Sequence, residues 1–214
     1  QSKNKHMHRE ALTPEGGKIF ERLRPAGFIL GGGTGLALQL GHRVSEDFDF
    51  MSENEIAPAL LEELEKELSG PGLPPKIVVN NKDELTVLAG ETKITFLHYP
   101  FSVVLPPVSV GGLAVFDARE IAAMKAYALG RRGTMKDYVD LYFVLRNGET
   151  LKSIAGLAEK KFGGAFDTRL FLEQLIYFED VEELPIRFLK KSVTKEELLS
   201  FFEERVRHFP VREG

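Results

Sequence analysis

The most constraining stretch of this chain is a cluster of glycines. Gly31, Gly32, Gly33 and Gly35 follow the apolar run Phe28-Ile-Leu30 and open directly into Leu36-Ala-Leu-Gln-Leu40. Apolar strand, glycine turn and short helix are the reading of that pattern, because only residues without Cβ let a backbone reverse so sharply and approach another group closely. The first N–H groups of such a helix have no intrahelical acceptor and point, with the helix dipole, at whatever lies before them. The arrangement suits a bound phosphate, and it suits a bare strand-to-helix turn as well. It is not a dinucleotide fingerprint, since Leu36 stands where the third glycine belongs, and no phosphate-loop lysine follows.

Twelve residues lie between Thr34 and the run Asp47-Phe-Asp-Phe50. In a strand, alternate residues share a face roughly 6.5 Å apart, so both carboxylates look one way while Phe48 and Phe50 face a core. Two carboxylates so close repel by about 1–4 kcal/mol near a surface, a penalty that a divalent cation reverses. Oxygen ligands alone suit magnesium or manganese, either of which would bring a triphosphate with it. A half-exposed alternating strand is the plain alternative. A calcium loop is excluded, because Met51 and Pro58 occupy ligand positions and no glycine stands at the sixth place. The spacing leaves room for one short helix and a loop, which would bring the glycine turn and the acid pair to one cleft.

The rest of the chain divides in two. Up to about residue 110, short apolar runs at 28–30, 48–51, 77–79, 85–88, 94–97 and 103–105 read as strands, with helices over 35–40 and 57–68. After Gly112 the pattern is helical, over about 117–129, 134–146, 150–161, 168–178, 181–190 and 194–208, with Asp117, Thr134, Thr150, Asp167 and Thr194 as N-caps. The fold class expected is α+β, a small mixed sheet with flanking helices over residues 1–112 and a helical part over 113–214 that closes the cleft. There is no cysteine, which removes thiolate nucleophiles, disulfides and cysteine-bearing metal sites. A net charge of -4 argues against bulk electrostatic binding of nucleic acid and leaves room only for a local basic patch. No run of apolar residues is long enough for a membrane span, and the polar N-terminus lacks the apolar segment of a signal peptide, so the cytoplasm is the expected compartment.

Gly32-Gly-Thr-Gly-Leu-Ala-Leu-Gln-Leu-Gly-His-Arg-Val-Ser-Glu-Asp-Phe-Asp-Phe50 resembles the opening motif of the polymerase-beta type nucleotidyltransferase superfamily, and more narrowly of its AbiEii/AbiGii toxin-like branch. A second block is similar to that branch too: Ala118-Arg-Glu-Ile-Ala-Ala-Met-Lys-Ala-Tyr-Ala-Leu-Gly-Arg-Arg-Gly-Thr-Met-Lys-Asp-Tyr-Val-Asp-Leu-Tyr142. The resemblance implies a nucleotidyl transfer from a nucleoside triphosphate to an RNA or protein acceptor, and a toxin with a cognate antitoxin encoded beside it. It implies that Gly32, Gly33 and Thr34 hold the triphosphate and that Asp47 and Asp49 carry magnesium or manganese. Lys125 would contact phosphate or neutralise developing charge, and Asp137 would orient or accept a proton.

Residue chemistry alone would have Lys125 snorkel to water from mid-helix. It would place Asp137 and Asp140 one turn apart on one face of their helix, with Tyr138, Leu141, Tyr142 and Leu145 as the buried stripe. Arg43 and Ser45 border the expected cleft and are assigned to the nucleotide, as is Arg131, which with Arg132 in a glycine-bounded turn reads either as a phosphate clamp or as a solvated surface arginine, the commoner case. His42 reads as a hydrogen-bonding residue only. One departure stands out. Many superfamily members carry a third carboxylate on a later strand, and the candidate strand Lys93-Ile-Thr-Phe-Leu-His98 has none. A single metal, or a base from the helical part, is then the catalytic alternative, and a nucleotide-binding module without turnover is the rival function.

Overall fold

The structure, a computed structural model, describes residues 7–69, 73–179, 181 and 185–210. Its sheet has seven strands in the order β3-β4-β5-β2-β1-β7-β6. In chain order these are β1 (Ile29–Leu30), β2 (Phe48–Ser52), β3 (Lys76–Asn80), β4 (Glu84–Ala89), β5 (Thr92–His98), β6 (Val108–Val110) and β7 (Leu113–Val115). The central strand β2 runs parallel to β5 and antiparallel to β1. The helices of this half are α1 (Pro14–Arg22), α2 (Gly32–Leu40) and α3 (Leu60–Ser69).

Strict alternation along β2 separates fold from site. Phe48 and Phe50 are buried, and Phe50 stacks on Phe96 of the neighbouring β5 with centroids 5.0 Å apart. Phe28 closes the group edge-on, 5.1 Å from Phe96. Leu60, Leu64 and Leu68, spaced one turn apart on α3, cover this core together with Ile19, Phe20 and Leu23 from α1 and the segment after it. The odd residues of β2, Asp49 and Met51, therefore emerge on the opposite face, and Asp47 leads into it.

Sequence periodicity misses α1, because Gly16 and Gly17 interrupt it. The helix forms because Thr13 caps it, accepting the Gly16 N–H at 2.9 Å, with Pro14 at the first position. Gly16 packs closely, since a Cβ there would stand in ordinary contact with the Phe48 ring at 3.6 Å and tightly against the Thr13 hydroxyl at 3.1 Å. The run 103–105 is not a strand. The N–H groups of Val104 and Leu105 are taken by the Glu120 carboxylate at 3.0 and 2.8 Å, and the sheet instead receives the hairpin β6–β7, turned by Gly111 and Gly112 at positive φ.

The helical half comprises α4 (Ala118–Arg132), α5 (Met135–Arg146), α6 (Leu151–Phe162), α7 (Thr168–Leu175) and α8 (Lys195–Arg207). All five expected caps are in place: Asp117, Thr134, Thr150, Asp167 and Thr194 precede these helices in order. α7 stops at Leu175, short of the expected 178. The helix expected over 181–190 is corrected. Residues 182–184 lie outside the described part, and 185–190 run without helix, with Phe188 bridged to Arg43 and the Leu189 N–H bonded to the His42 carbonyl at 3.0 Å. A buried ion pair, Lys161 Nζ to Glu120 Oε1 at 2.8 Å, ties α6 to α4. Among the described residues no helix is long and apolar enough to cross a membrane.

Phe50→Ala should cost about 3–5 kcal/mol of unfolding free energy, because a central core ring leaves a cavity. Ile77→Ser on the edge strand β3, where Ile77 is 47% exposed, should change it by less than about 0.5 kcal/mol. Urea titration of both variants checks the contrast, and an equal loss would mean that the Phe48–Phe50–Phe96 stack is not the core of the sheet.

Candidate active site

The glycine turn and the acid pair are in contact. The Gly31 N–H donates to the Asp49 carbonyl at 2.8 Å, which fastens the turn to β2. Gly32 sits at φ +58°, and a Cβ there would come within 2.3 Å of Asp49 Oδ2. At Gly33 a Cβ would meet Arg43 Nη2 at 2.4 Å. Glycine is thus required at both places, at the first by backbone conformation and crowding, at the second by crowding alone. α2 starts here, so its first turn opens beside Asp49.

Thr34 behaves differently from expectation. It is buried and does not line the cleft. Its hydroxyl contacts the Asp47 carbonyl and the Ser45 hydroxyl, the latter at 2.8 Å. With one proton to give, Thr34 donates to the carbonyl and accepts from Ser45. The effect is to lock the segment that delivers Asp47.

Asp47 and Asp49 are half-exposed on the cleft wall, with Lys93 Nζ 3.9 Å from Asp47 Oδ2. Across the sheet Asp49 lies opposite Thr95 of β5. Thr95 is buried and shares a hydrogen bond of 3.2 Å with Thr86, so this strand position holds a hydroxyl and no carboxylate. Among the described residues no third acidic or histidine side chain joins the pair in a metal-binding group. Two carboxylate donors with an open side nonetheless fit a magnesium ion, which keeps several waters and takes its other ligands from phosphate.

The helical wall is built on a carboxylate that the cleft never sees. Asp140 on α5 is fully buried and accepts from Arg43 Nε and Nη2 at 2.7 and 2.8 Å and from His42 Nε2 at 2.6 Å, while Lys125 Nζ lies 2.7 Å away. Burial alone would raise its pKa. The charges of Lys125 and Arg43, with the hydrogen bonds from His42 and Arg43, hold it well below the carboxylate range. Lys125 does not snorkel to water as its mid-helix position suggests. Burial disfavours its charge, but Asp140 and Asp137 outweigh that and raise its pKa. His42 goes the other way: burial first, then the charges of Arg43 and Lys125, outweigh Asp140 and lower its pKa. It is therefore the neutral tautomer with Nε2–H on Asp140, and its Nδ1 is buried without a partner.

Asp137 caps α5, accepting the Thr134 N–H at 3.0 Å and the Thr134 hydroxyl at 2.9 Å, and it pairs with Lys125 Nζ at 2.7 Å. Gly32, Gly33, Arg43, Ser45, Asp47, Asp49, Lys125, Arg131 and Asp137 all border one cleft of about 470 Å3. Of the residues expected at the site, Thr34 alone stands behind the wall. Sequence reasoning missed Lys93, Tyr99, Met124, Tyr127 and Lys136 around the same cleft. The available signal was helical spacing: Ile121, Met124, Lys125, Ala128 and Arg131 recur at three and four residues along α4.

Geometry of this kind has known relatives. The profile of the nucleotidyl transferase AbiEii toxin family, of type IV toxin-antitoxin systems, matches residues 21–211. The chain belongs to that family. An uncharacterized protein from Aquifex aeolicus (strain VF5) is 32% identical over 185 residues, 85% of this chain and 87% of its own length. The nucleotidyltransferase toxin MenT4 of Mycobacterium tuberculosis shares the fold with a TM-score of 0.58 at 18% identity, over 86% of this chain and 76% of that one. A candidate nucleotidyltransferase from Helicobacter pylori does so with a TM-score of 0.56 at 17% identity, over 89% of each chain. The mixed sheet and helical C-terminal half are thus the nucleotidyltransferase arrangement of this AbiEii family member.

The neutral, buried His42 should make stability pH-dependent. Its folded pKa lies below 6.5, so the unfolded chain binds the extra proton, and the contribution present above pH 6.5 is lost as pH falls through and below that value. The unfolding free energy of wild type minus that of His42→Gln should be larger at pH 7.5 than at pH 5.5 by about 1 kcal/mol. A gap that grows on acidification would mean that His42 is charged in the native state.

Proposed function

We propose that this nucleotidyltransferase moves a nucleoside monophosphate from a nucleoside triphosphate to a hydroxyl of RNA or protein, as the toxin of a pair with an antitoxin. One observation carries the reading: the glycine turn and the two acids are in contact, Gly32 against Asp49, at the edge of one cleft whose other wall presents Lys125. The triphosphate lies on Gly32, Gly33 and the opening turn of α2. The acceptor oxygen forms a bond to the α-phosphorus as the bond to the β-phosphate oxygen breaks, and pyrophosphate leaves. Lys125 neutralises charge gathering on the phosphates. Asp137, fixed by Thr134, holds Lys125 in place and is the carboxylate of the helical wall available to receive the acceptor's proton. Magnesium or manganese on Asp47 and Asp49, when bound, supplies charge neutralisation and fixes the phosphate oxygens. The cytoplasm, where nucleoside triphosphates and RNA are abundant, is the compartment this reaction calls for.

A second reading is supported by Thr95, which stands opposite Asp49 where a third carboxylate would complete a two-metal site. On that reading the protein binds nucleotide without turning it over. Incubation with each of the four α-labelled triphosphates, magnesium and total RNA or protein separates the two. Wild type is expected to release pyrophosphate and label an acceptor, with Asp47→Asn and Asp49→Asn each reducing transfer by on the order of 100-fold or more. Unchanged transfer in both variants would remove the acid pair from the mechanism. Magnesium-dependent stabilisation by nucleotide with no transfer at all would favour the binding module.

A further inference from the structure

The cleft extends past the phosphate end along α4, and its far end is built as a stack. Tyr127 lies face to face with Phe162, centroids 4.0 Å apart and planes 11° from parallel. Arg131 Cζ lies 3.6 Å from the same Tyr127 centroid. Two groups at these distances cannot share a face, so Arg131 covers the side opposite Phe162. Phe101 braces both rings edge-on, 5.8 Å from Tyr127 and 4.9 Å from Phe162.

The guanidinium is also fixed in its plane. Its Nη1 donates to the Tyr127 carbonyl at 3.2 Å and its Nη2 to the Ala165 carbonyl at 3.0 Å. Arg131 is nevertheless exposed, lines the cleft, and makes no ion pair with a carboxylate among the described residues. Its edge is thus partly spent on backbone while the side chain stays exposed at the cleft. A phosphate clamp would want the reverse, with the N–H fork free and aimed at the anion. Six residues separate Arg131 from Lys125, which is about 9 Å along the helix. That length is what a ribose puts between the phosphates and the far side of a base.

We infer that Phe162, Tyr127 and Arg131 form a platform on which the nucleobase of the triphosphate stacks, with Arg131 as the contacting surface. The inference rests on the function proposed above, with phosphates at the glycine turn. It reassigns Arg131 from phosphate grip to base recognition. Because every base has a π-face, such a platform serves all four nucleotides. Arginine keeps its flat contact already paired to the backbone, so little side-chain freedom is lost on binding.

The test is calorimetric titration of the full chain, with magnesium, using the four nucleoside triphosphates and inorganic tripolyphosphate. Arg131→Ala should weaken every nucleoside triphosphate by about ten-fold or more and leave tripolyphosphate within about two-fold of wild type. Arg131→Lys, which keeps the charge and loses the plane, should behave like the alanine variant. Parallel losses for nucleotides and tripolyphosphate would return Arg131 to the phosphates and overturn the platform. Undiminished nucleotide affinity in both variants would overturn it as well. A wild type that takes up neither nucleotide nor tripolyphosphate would defeat the proposed function itself, and the platform with it.

Discussion

The two walls of the cleft are held in register by one buried carboxylate. Asp140 draws Arg43 and His42 from the loop after α2 and Lys125 from α4 to a single point on α5. Removing an ion from water costs several kcal/mol even after relaxation, so a cluster of this kind is tolerable only when every member finds its partners. Here the charges close, Asp137 and Asp140 balancing Lys125 and Arg43 with His42 neutral, and the one polar atom of these side chains left buried without a partner is His42 Nδ1. Because Arg43 Nη2 presses on Gly33 while Lys125 stands beside Asp137, the same balance places groups on both sides of the proposed phosphate site. Misplacing one of these segments would strand a charge in the other. That makes the pairing of the halves close to all-or-none.

The acids depend in turn on the apolar residues between them. A one-residue slip of β2 against β5 would bury Asp49 and expose Phe50, so the register that stacks Phe50 on Phe96 also sets where the carboxylates point. Core and site are two faces of the same five-residue strand. The precision of the second is inherited from the packing of the first.

Local chemistry was legible in the sequence to the extent that it was local. Glycines at 31–33 and 35, alternation at 47–50 and five N-caps each announce themselves within a few residues, and the structure has them all. The motif resemblance placed Lys125 at the site, whereas periodicity alone sent it to solvent, because its partners Asp137, Asp140 and Arg43 meet it only through tertiary structure. The same holds for 103–105, whose apolar pattern is that of a strand but whose amides belong to Glu120 on another element. The hairpin of β6 and β7 had a readable turn in Gly111-Gly112, yet three-residue strands after Pro106-Pro107 carry too little alternation to be recognised. Asp140 was seen only as a residue sharing a face with Asp137. Nothing in sequence spacing says that one of two acids a turn apart lines a cleft and the other is sealed beneath it.

The proposed site also explains why its two signature elements must touch. Phosphate oxygens at the glycine turn would stand beside the carboxylates of Asp47 and Asp49, and each such pair of like charges at about 4 Å costs roughly 1–4 kcal/mol near a surface. Backbone N–H groups and Lys125 offset part of this, but Lys125 is already shared between Asp137 and Asp140. Lys93, at 3.9 Å from Asp47, is half-exposed and screened by solvent. An acid pair so close to the turn therefore disfavours a bare anion, and a divalent cation on Asp47 and Asp49 would relieve that repulsion. On the proposed function, phosphates would seat against Gly32 and Gly33 with the charge of Asp47 and Asp49 shared by such a cation.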